Sequence, residues 1–153
     1  MLIPTLAGNR CEVLTVTAPG TVAQVSKRKG AVITARVHPG ESVGSWMMKG
    51  VLDFIISDNP EARELRKLFV FKIVPMLNPD GVIVGNYRTS LVGADLNRRW
   101  KTPSKLLHPT IWATKNMIKE FSKERKIDMV CDLHGHSRRK NVFMYGCNIQ
   151  NHP

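Results

Sequence analysis

The chain has 153 residues, 42% of them hydrophobic and 23% charged, which is the composition of a globular protein with room for one ordinary core. Disorder is not the default for that composition, and no apolar run approaches the length needed to span a bilayer. The formal charge of +11, from 23 Lys and Arg against 12 Asp and Glu, favours an acidic partner: nucleic acid, an anionic membrane or an acidic peptide.

The positive charge is spread along the chain, with clusters at Lys27-Arg28-Lys29, Arg98-Arg99-Trp100-Lys101 and Arg138-Arg139-Lys140. None of them is a long basic tail, and no interleaving of aromatic and basic residues points to nucleic acid. Three cysteines, Cys11, Cys131 and Cys147, are odd in number and widely spaced; they predict free thiols in a reducing compartment rather than a disulfide framework. The N-terminus lacks a basic segment followed by a long apolar core, so no secretory signal is read there. A cytoplasmic protein is expected.

In chain order, Cys11 to Ala18 alternates and is rich in β-formers, which predicts a strand ended by Pro19-Gly20. Thr21 to Gly30 is polar and basic and reads as a loop. Ala31 to Val37 predicts a buried strand. From Ser42 to Ser57 the apolar residues Val43, Trp46, Met47, Val51, Phe54 and Ile55 recur at helical spacing. Asp58-Asn59-Pro60 closes that helix, and Glu61 to Lys67 suits a short amphipathic turn. Leu68 to Met76 is nearly all apolar, as in a strand covered on both faces. Asn78-Pro79-Asp80-Gly81 predicts a turn, followed by a short extended piece over 82–85 and an irregular loop over 86–103. Ser104 to Arg125 predicts a long helix that starts in earnest near Pro109, with Leu106, Leu107, Ile111, Met117, Ile118 and Phe121 inward. Ile127 to Leu133 reads as a further buried strand and Asn141 to Tyr145 as a last one. This alternation is that of an α/β fold with a largely parallel sheet.

Two of these strands end at a histidine. His38-Pro39-Gly40-Glu41 follows Val37, and His134 follows Leu133. Open α/β sheets place ligands at the C-terminal ends of their strands, and His38, Glu41 and His134 together make a His2Glu set, the donor set of many catalytic zinc sites. A plainer account of each residue stands beside this one. A strand-end histidine often only caps or faces solvent, and Glu41 suits the first turn of a helix through the dipole alone. Asp132 is either an outer partner of His134 or a turn residue, and His136 is free to be merely solvated.

Four segments then occur in order: His38-Pro39-Gly40-Glu41, Asn78-Pro79-Asp80-Gly81, Asp95-Leu96-Asn97-Arg98-Arg99 and Asp132-Leu133-His134-Gly135-His136-Ser137. Together they resemble the zinc metallocarboxypeptidase family, and the wording around them is similar to its cytosolic branch. The resemblance covers nearly the whole chain. It implies a carboxypeptidase/phosphorylase-like α/β fold, a mixed and largely parallel sheet with helices on both faces. It implies that residues 1–153 form the N-terminal part of a catalytic domain, truncated relative to the family.

The resemblance also implies one Zn2+ per chain, held by His38, Glu41 and His134. Asn97 and Arg98 match the pair that grips the substrate's terminal carboxylate, a task suited to a guanidinium fork. Arg88 is placed like the arginine that steadies the oxyanion. The implied substrates are acidic C-terminal tails of proteins such as tubulin, shortened by removal of glutamates, and Arg138, Arg139 and Lys140 either draw in such a tail or form a solvated loop. The family's general-base glutamate and substrate-covering tyrosine lie well beyond the third ligand. Only residues 135–153 follow His134 here, so neither is assigned. Two alternatives stay open: a catalytically inactive zinc-binding module that binds acidic tails, and a related zinc-dependent acylase acting on N-acyl amino acids.

Overall fold

In the computed structural model, which describes residues 1–146, the chain runs β1 (Ile3–Pro4), β2 (Arg10–Cys11), β3 (Leu14–Val16), α1 (Val22–Ser26), β4 (Lys29–Ala35), α2 (Val43–Ile56), α3 (Pro60–Leu68), β5 (Phe69–Val74), α4 (Pro79–Val84), a single 3-10 turn (Leu96–Arg98), α5 (Pro109–Glu124) and β6 (Ile127–Leu133). Strands β1 and β2 form a small antiparallel hairpin, and the other four make one sheet in the order β3-β5-β4-β6. β4 pairs in parallel with β5 on one side and β6 on the other, while β3 runs antiparallel along the outside of β5. The expected mixed, largely parallel sheet is therefore present.

Helices cover both faces. Ala31, Ile33 and Ala35 of β4 pack with Phe71 and Ile73 of β5 against Met48 and Ile55 of α2. Val32 and Val70 point the other way, onto Phe121 of α5, with Met117 and Ile118 alongside. A third cluster, including Val37, Val74, Leu77, Leu96 and Ile111, fills the C-terminal end of the sheet. Ile73 is fully buried at the centre of the first cluster. Ile73→Ala is expected to cost about 2–5 kcal/mol, the usual toll of a core truncation that cannot collapse, read as a lower urea midpoint at unchanged slope.

Several local expectations are corrected by the fold. The segment read as a loop over Thr21–Gly30 contains α1, because Thr21 and Gln24 form a reciprocal capping box. The Asn78-Pro79-Asp80-Gly81 turn is the start of α4, not the start of an extended piece. Asn78 accepts from the Gly81 amide, Pro79 occupies the first helical turn, and Gly85 ends the helix in the left-handed region. Buried Asp80 pins the N-terminal hairpin to α4, accepting from Thr5 Oγ1 at 2.5 Å, Asn9 Nδ2 at 2.8 Å and the Ala7 amide at 3.1 Å. In α2 the face on the sheet is set by Gly44, Met48 and Ile55, which leaves Trp46 71% exposed. Leu106 and Leu107 precede α5 and lie exposed rather than on its inner side.

β6 is an edge strand among the described residues, not a buried one, and Met129 and Val130 on its two faces are exposed. An apolar cavity of about 320 Å³ opens beside Met129, between the sheet and α2. Asn141 to Tyr145 forms no strand; these residues are exposed and irregular. Of the clustered basic residues, Arg28 is buried, donating to Thr17 Oγ1 at 2.7 Å and to the carbonyls of Ala18 and Pro19. Its charge is spent on the fold.

Cys11 and Cys131 are free thiols, and Cys147 lies outside the described residues. Burial, reinforced by the neighbouring Glu12 carboxylate, pushes the Cys11 thiol up to about 12, so almost no thiolate forms there at pH 8. Iodoacetamide at that pH is expected to leave Cys11 unmodified in the folded chain and to label it in urea, as peptide mapping would show.

Candidate metal centre

The parallel register of β4 and β6 brings the distant histidines together. Thr34 lies opposite Asp132 and Ala35 opposite Leu133, so both strands finish at the same level and release their chains at one edge. His134 follows directly. On the β4 side the chain turns sharply at Arg36 (φ +58°) and then delivers Val37 and His38, both buried. Asn78 Nδ2 donates to the Val37 carbonyl at 3.3 Å and ties this turn to α4. The Gly40 amide donates to the Tyr87 carbonyl at 2.6 Å, and a side chain at Gly40 would overlap the Tyr87 ring. That close approach is what requires glycine.

Three donors converge. One ligand atom each from His38, Glu41 and His134 lies within 4.8 Å of the others. His38 Nδ1 is 2.9 Å from Glu41 Oε1, but not in hydrogen-bond geometry, so this buried nitrogen has no hydrogen bond. His134 Nδ1 is 3.2 Å from Glu41 Oε2, which also accepts from the Gly135 amide at 2.7 Å. Gly135 itself has no room for a Cβ, which would meet Val43 at 2.9 Å and Glu41 at 3.3 Å.

The outward nitrogens are equally well defined. His38 Nε2 lies 3.0 Å from Asp95 Oδ1, and His134 Nε2 lies 2.5 Å from Asp132 Oδ2. Each Nε2 thus has a carboxylate outside it, and each Nδ1 faces Glu41 on the inside. Carboxylate–histidine pairs of this kind orient metal-bound imidazoles. His38 Nδ1, buried and without a hydrogen bond, is left to bind an ion, and two imidazoles with one carboxylate suit zinc. The residues fit that ion.

Titration follows the same geometry. The hydrogen bond to Asp132 raises His134 above its ordinary range, with the Asp132 and Glu41 charges adding to it against the effect of burial. For Asp95, burial disfavours the charge. The hydrogen bonds from His38 and the Asn97 amide, with the charges of His38 and Arg88, outweigh it and hold the carboxyl below its usual value. Asp132 is further fixed by Thr34 Oγ1, which donates to its Oδ1 at 2.6 Å.

Asp95 reaches further than the sequence indicated. Its Oδ2 accepts from Arg88 Nε at 2.9 Å, with Arg88 Nη2 also 2.9 Å away as an ion pair. Its Oδ1 caps the 3-10 turn by accepting from the Asn97 amide at 2.9 Å. One carboxylate thus links a metal-site imidazole, Arg88 and the turn that carries Asn97 and Arg98. Asn97 Oδ1 accepts from Trp100 Nε1 at 3.1 Å, which leaves its amide NH2 free to donate. Arg98 is exposed and makes no side-chain hydrogen bond among the described residues. Arg138, Arg139 and Lys140 are exposed too, with Arg139 lying over the rings of Phe143 and Tyr145 at 5.6 and 5.7 Å. An acidic cap residue two positions before Asn97 was the available signal for Asp95.

A family model described as zinc carboxypeptidase matches residues 4–153. Cytosolic carboxypeptidase 2 of Xenopus tropicalis is 59% identical over 99% of this chain, which corresponds to 16% of that relative's length. Cytosolic carboxypeptidase 1 of Homo sapiens is 50% identical over 98% of the chain and 13% of its own length. The chain therefore spans about a sixth of the curated relatives it matches. Among solved structures, a metallo-carboxypeptidase from Burkholderia cenocepacia superposes with a TM-score of 0.79 at 35% identity, over 88% of this chain and 35% of that one. A metallo-carboxypeptidase from Pseudomonas aeruginosa, solved with (2-guanidinoethylmercapto)succinic acid, gives 0.72 at 30% identity over 86% and 33%.

Proposed function

The chain belongs to the zinc carboxypeptidase family, and from that premise we propose that it is the N-terminal part of the catalytic domain of a cytoplasmic metallocarboxypeptidase acting on acidic protein tails. The observation that carries this reading is the convergence of His38, Glu41 and His134, with Asp95 joining them to Arg88 and the Asn97-Arg98 turn. One Zn2+ held by the three donors would polarise a substrate carbonyl and lower the pKa of bound water towards about 7.

The chain's own residues supply the rest. Arg98 offers a free guanidinium fork to a terminal carboxylate, and the unengaged Asn97 amide adds a donor beside it. Arg88 is held by Asp95 through two of its nitrogens and keeps N–H groups to steady charge on a scissile carbonyl oxygen. Arg138, Arg139 and Lys140 favour an acidic chain next to the third ligand, which makes glutamate the residue expected to be released. Glutamate-rich tails such as those of tubulin fit that chemistry. The names of the relatives support a peptidase over an N-acyl amino acid acylase, and a cytosolic location.

A second reading, tail binding without turnover, is favoured by one specific observation. The carboxylates around the cluster are all engaged among the described residues: Glu41 with the histidines, Asp95 with His38 and Arg88, Asp132 with His134 and Thr34. None is free to take a proton from water, a contribution worth about 10²–10⁴-fold. The purified zinc-loaded chain, given a polyglutamylated peptide, separates the two. Glutamate release abolished by a chelator supports the peptidase; saturable peptide binding without release supports the module; neither binding nor release contradicts both.

A further inference from the structure

One residue beside the centre takes a conformation that its side chain does not favour. Arg36, immediately after β4, sits in the left-handed region at φ +58°, which a residue with a Cβ enters only at a cost in backbone energy. Its guanidinium reaches over the turn that follows. Nε donates to the Pro39 carbonyl at 2.8 Å, and Nη1 donates to Ser45 Oγ at 2.6 Å. Pro39 and Ser45 bracket the segment that presents Glu41, and Pro39 directly follows His38.

The start of α2 makes the same point independently. Ser42 stands at its N-cap with no capping hydrogen bond from its side chain, so the first turn is not fastened by the device helices ordinarily use. The contact from Arg36 to Ser45 fastens that turn from outside. The same guanidinium therefore holds both ends of the ligand segment, and the left-handed backbone at Arg36 aims it there.

We propose that Arg36 is a positioning residue of the metal centre: it clamps the His38–Glu41 turn against the first turn of α2, so that these two donors meet His134 in register. The inference rests on the metal-centre reading above. A planar fork can make two divergent bonds at fixed spacing, which a lysine ammonium on a flexible stem reproduces poorly. Glycine accepts the left-handed backbone without strain, so Arg36→Gly removes the clamp while sparing the turn.

The test uses the purified chain, with Zn2+ affinity from competition with a chromophoric chelator and the visible spectrum of the Co2+-loaded protein as a second readout. Arg36→Gly is expected to weaken Zn2+ binding by about 10–100-fold, the range for loss of an outer-shell partner, to shift the Co2+ bands, and to keep a cooperative melt without metal. Arg36→Lys should recover part of the affinity. Ser45→Ala should weaken binding less than Arg36→Gly, and should add nothing when combined with it. Arg36→Gly with unchanged affinity and an unchanged Co2+ spectrum overturns the proposal. So does an Arg36→Gly chain that no longer folds, since Arg36 would then serve the whole fold rather than the centre. An unaltered chain that binds no Zn2+ removes the metal-centre reading itself, and the clamp with it.

Discussion

Glu41→Gln is expected to weaken Zn2+ binding by more than about 100-fold, beyond the upper end of what losing an outer partner costs a metal site. Glu41 contributes the only anionic donor of the three, and its two oxygens face one imidazole each, at 2.9 and 3.2 Å. An amide of the same size fills the space but cancels the charge that offsets zinc, and it presents N–H groups where an acceptor is required. The Gly135 amide, now bonded to Oε2, is met by an acceptor in only one of the two amide orientations. Calorimetric titration would give the affinity directly. Thermal melting supplies a second check, because a ligand that binds only the folded state stabilises it by an amount that grows with the logarithm of its affinity. Excess Zn2+ should raise the melting temperature of the unaltered chain and leave that of Glu41→Gln nearly unmoved.

Asp95→Asn is expected to produce the next largest loss, about 10–100-fold in Zn2+ affinity, together with weaker capture of a peptide's terminal carboxylate. The carboxylate meets three partners: His38 and the Asn97 amide at Oδ1, and the Arg88 guanidinium at Oδ2. An asparagine retains one good acceptor and turns an NH2 against donors on the other side, so either His38 or Arg88 loses its support. Asp132→Asn makes the informative contrast. It removes the partner of His134 and should weaken zinc similarly, yet Arg88 and the Asn97-Arg98 turn stay in place. Peptide affinity measured on the two variants at saturating Zn2+ should therefore fall for Asp95→Asn and hold for Asp132→Asn.

The sheet and its order of helices were readable because their patterns are strong and local. A β-branched run such as Ala31 to Val37 and an apolar run such as Phe69 to Val74 admit little besides a strand, although β4 stops at Ala35, where Arg36 turns left-handed, and Val43 to Ile56 repeats at helical spacing. His38, Glu41 and His134 were singled out because the first two lie in the turn after one apolar run and the third follows another, while the four-segment resemblance made them one set; the fold brings them within 4.8 Å of one another. What was missed depends on partners the sequence does not name. Trp46 reads as part of an apolar face, but which side of α2 meets the sheet is decided by packing, and Met48 and Ile55 occupy it. Ile127 to Leu133 has the composition of a buried strand, and its place at the edge is a matter of topology. Asn78-Pro79-Asp80-Gly81 serves a turn or a helix start equally well until Gly85 ends a helix. Asp95 was given no role of its own, since its bonds to His38 and Arg88 cross 57 and 7 positions of sequence.

X-ray absorption at the zinc edge of the chain loaded with one equivalent of Zn2+ tests the central claim most directly. A centre built from His38, Glu41 and His134 predicts a first shell of nitrogen and oxygen alone, at about 2.0–2.2 Å, with outer scattering from two imidazoles. Sulfur in the first shell at about 2.3 Å, or a chain that retains no zinc after desalting, would contradict it.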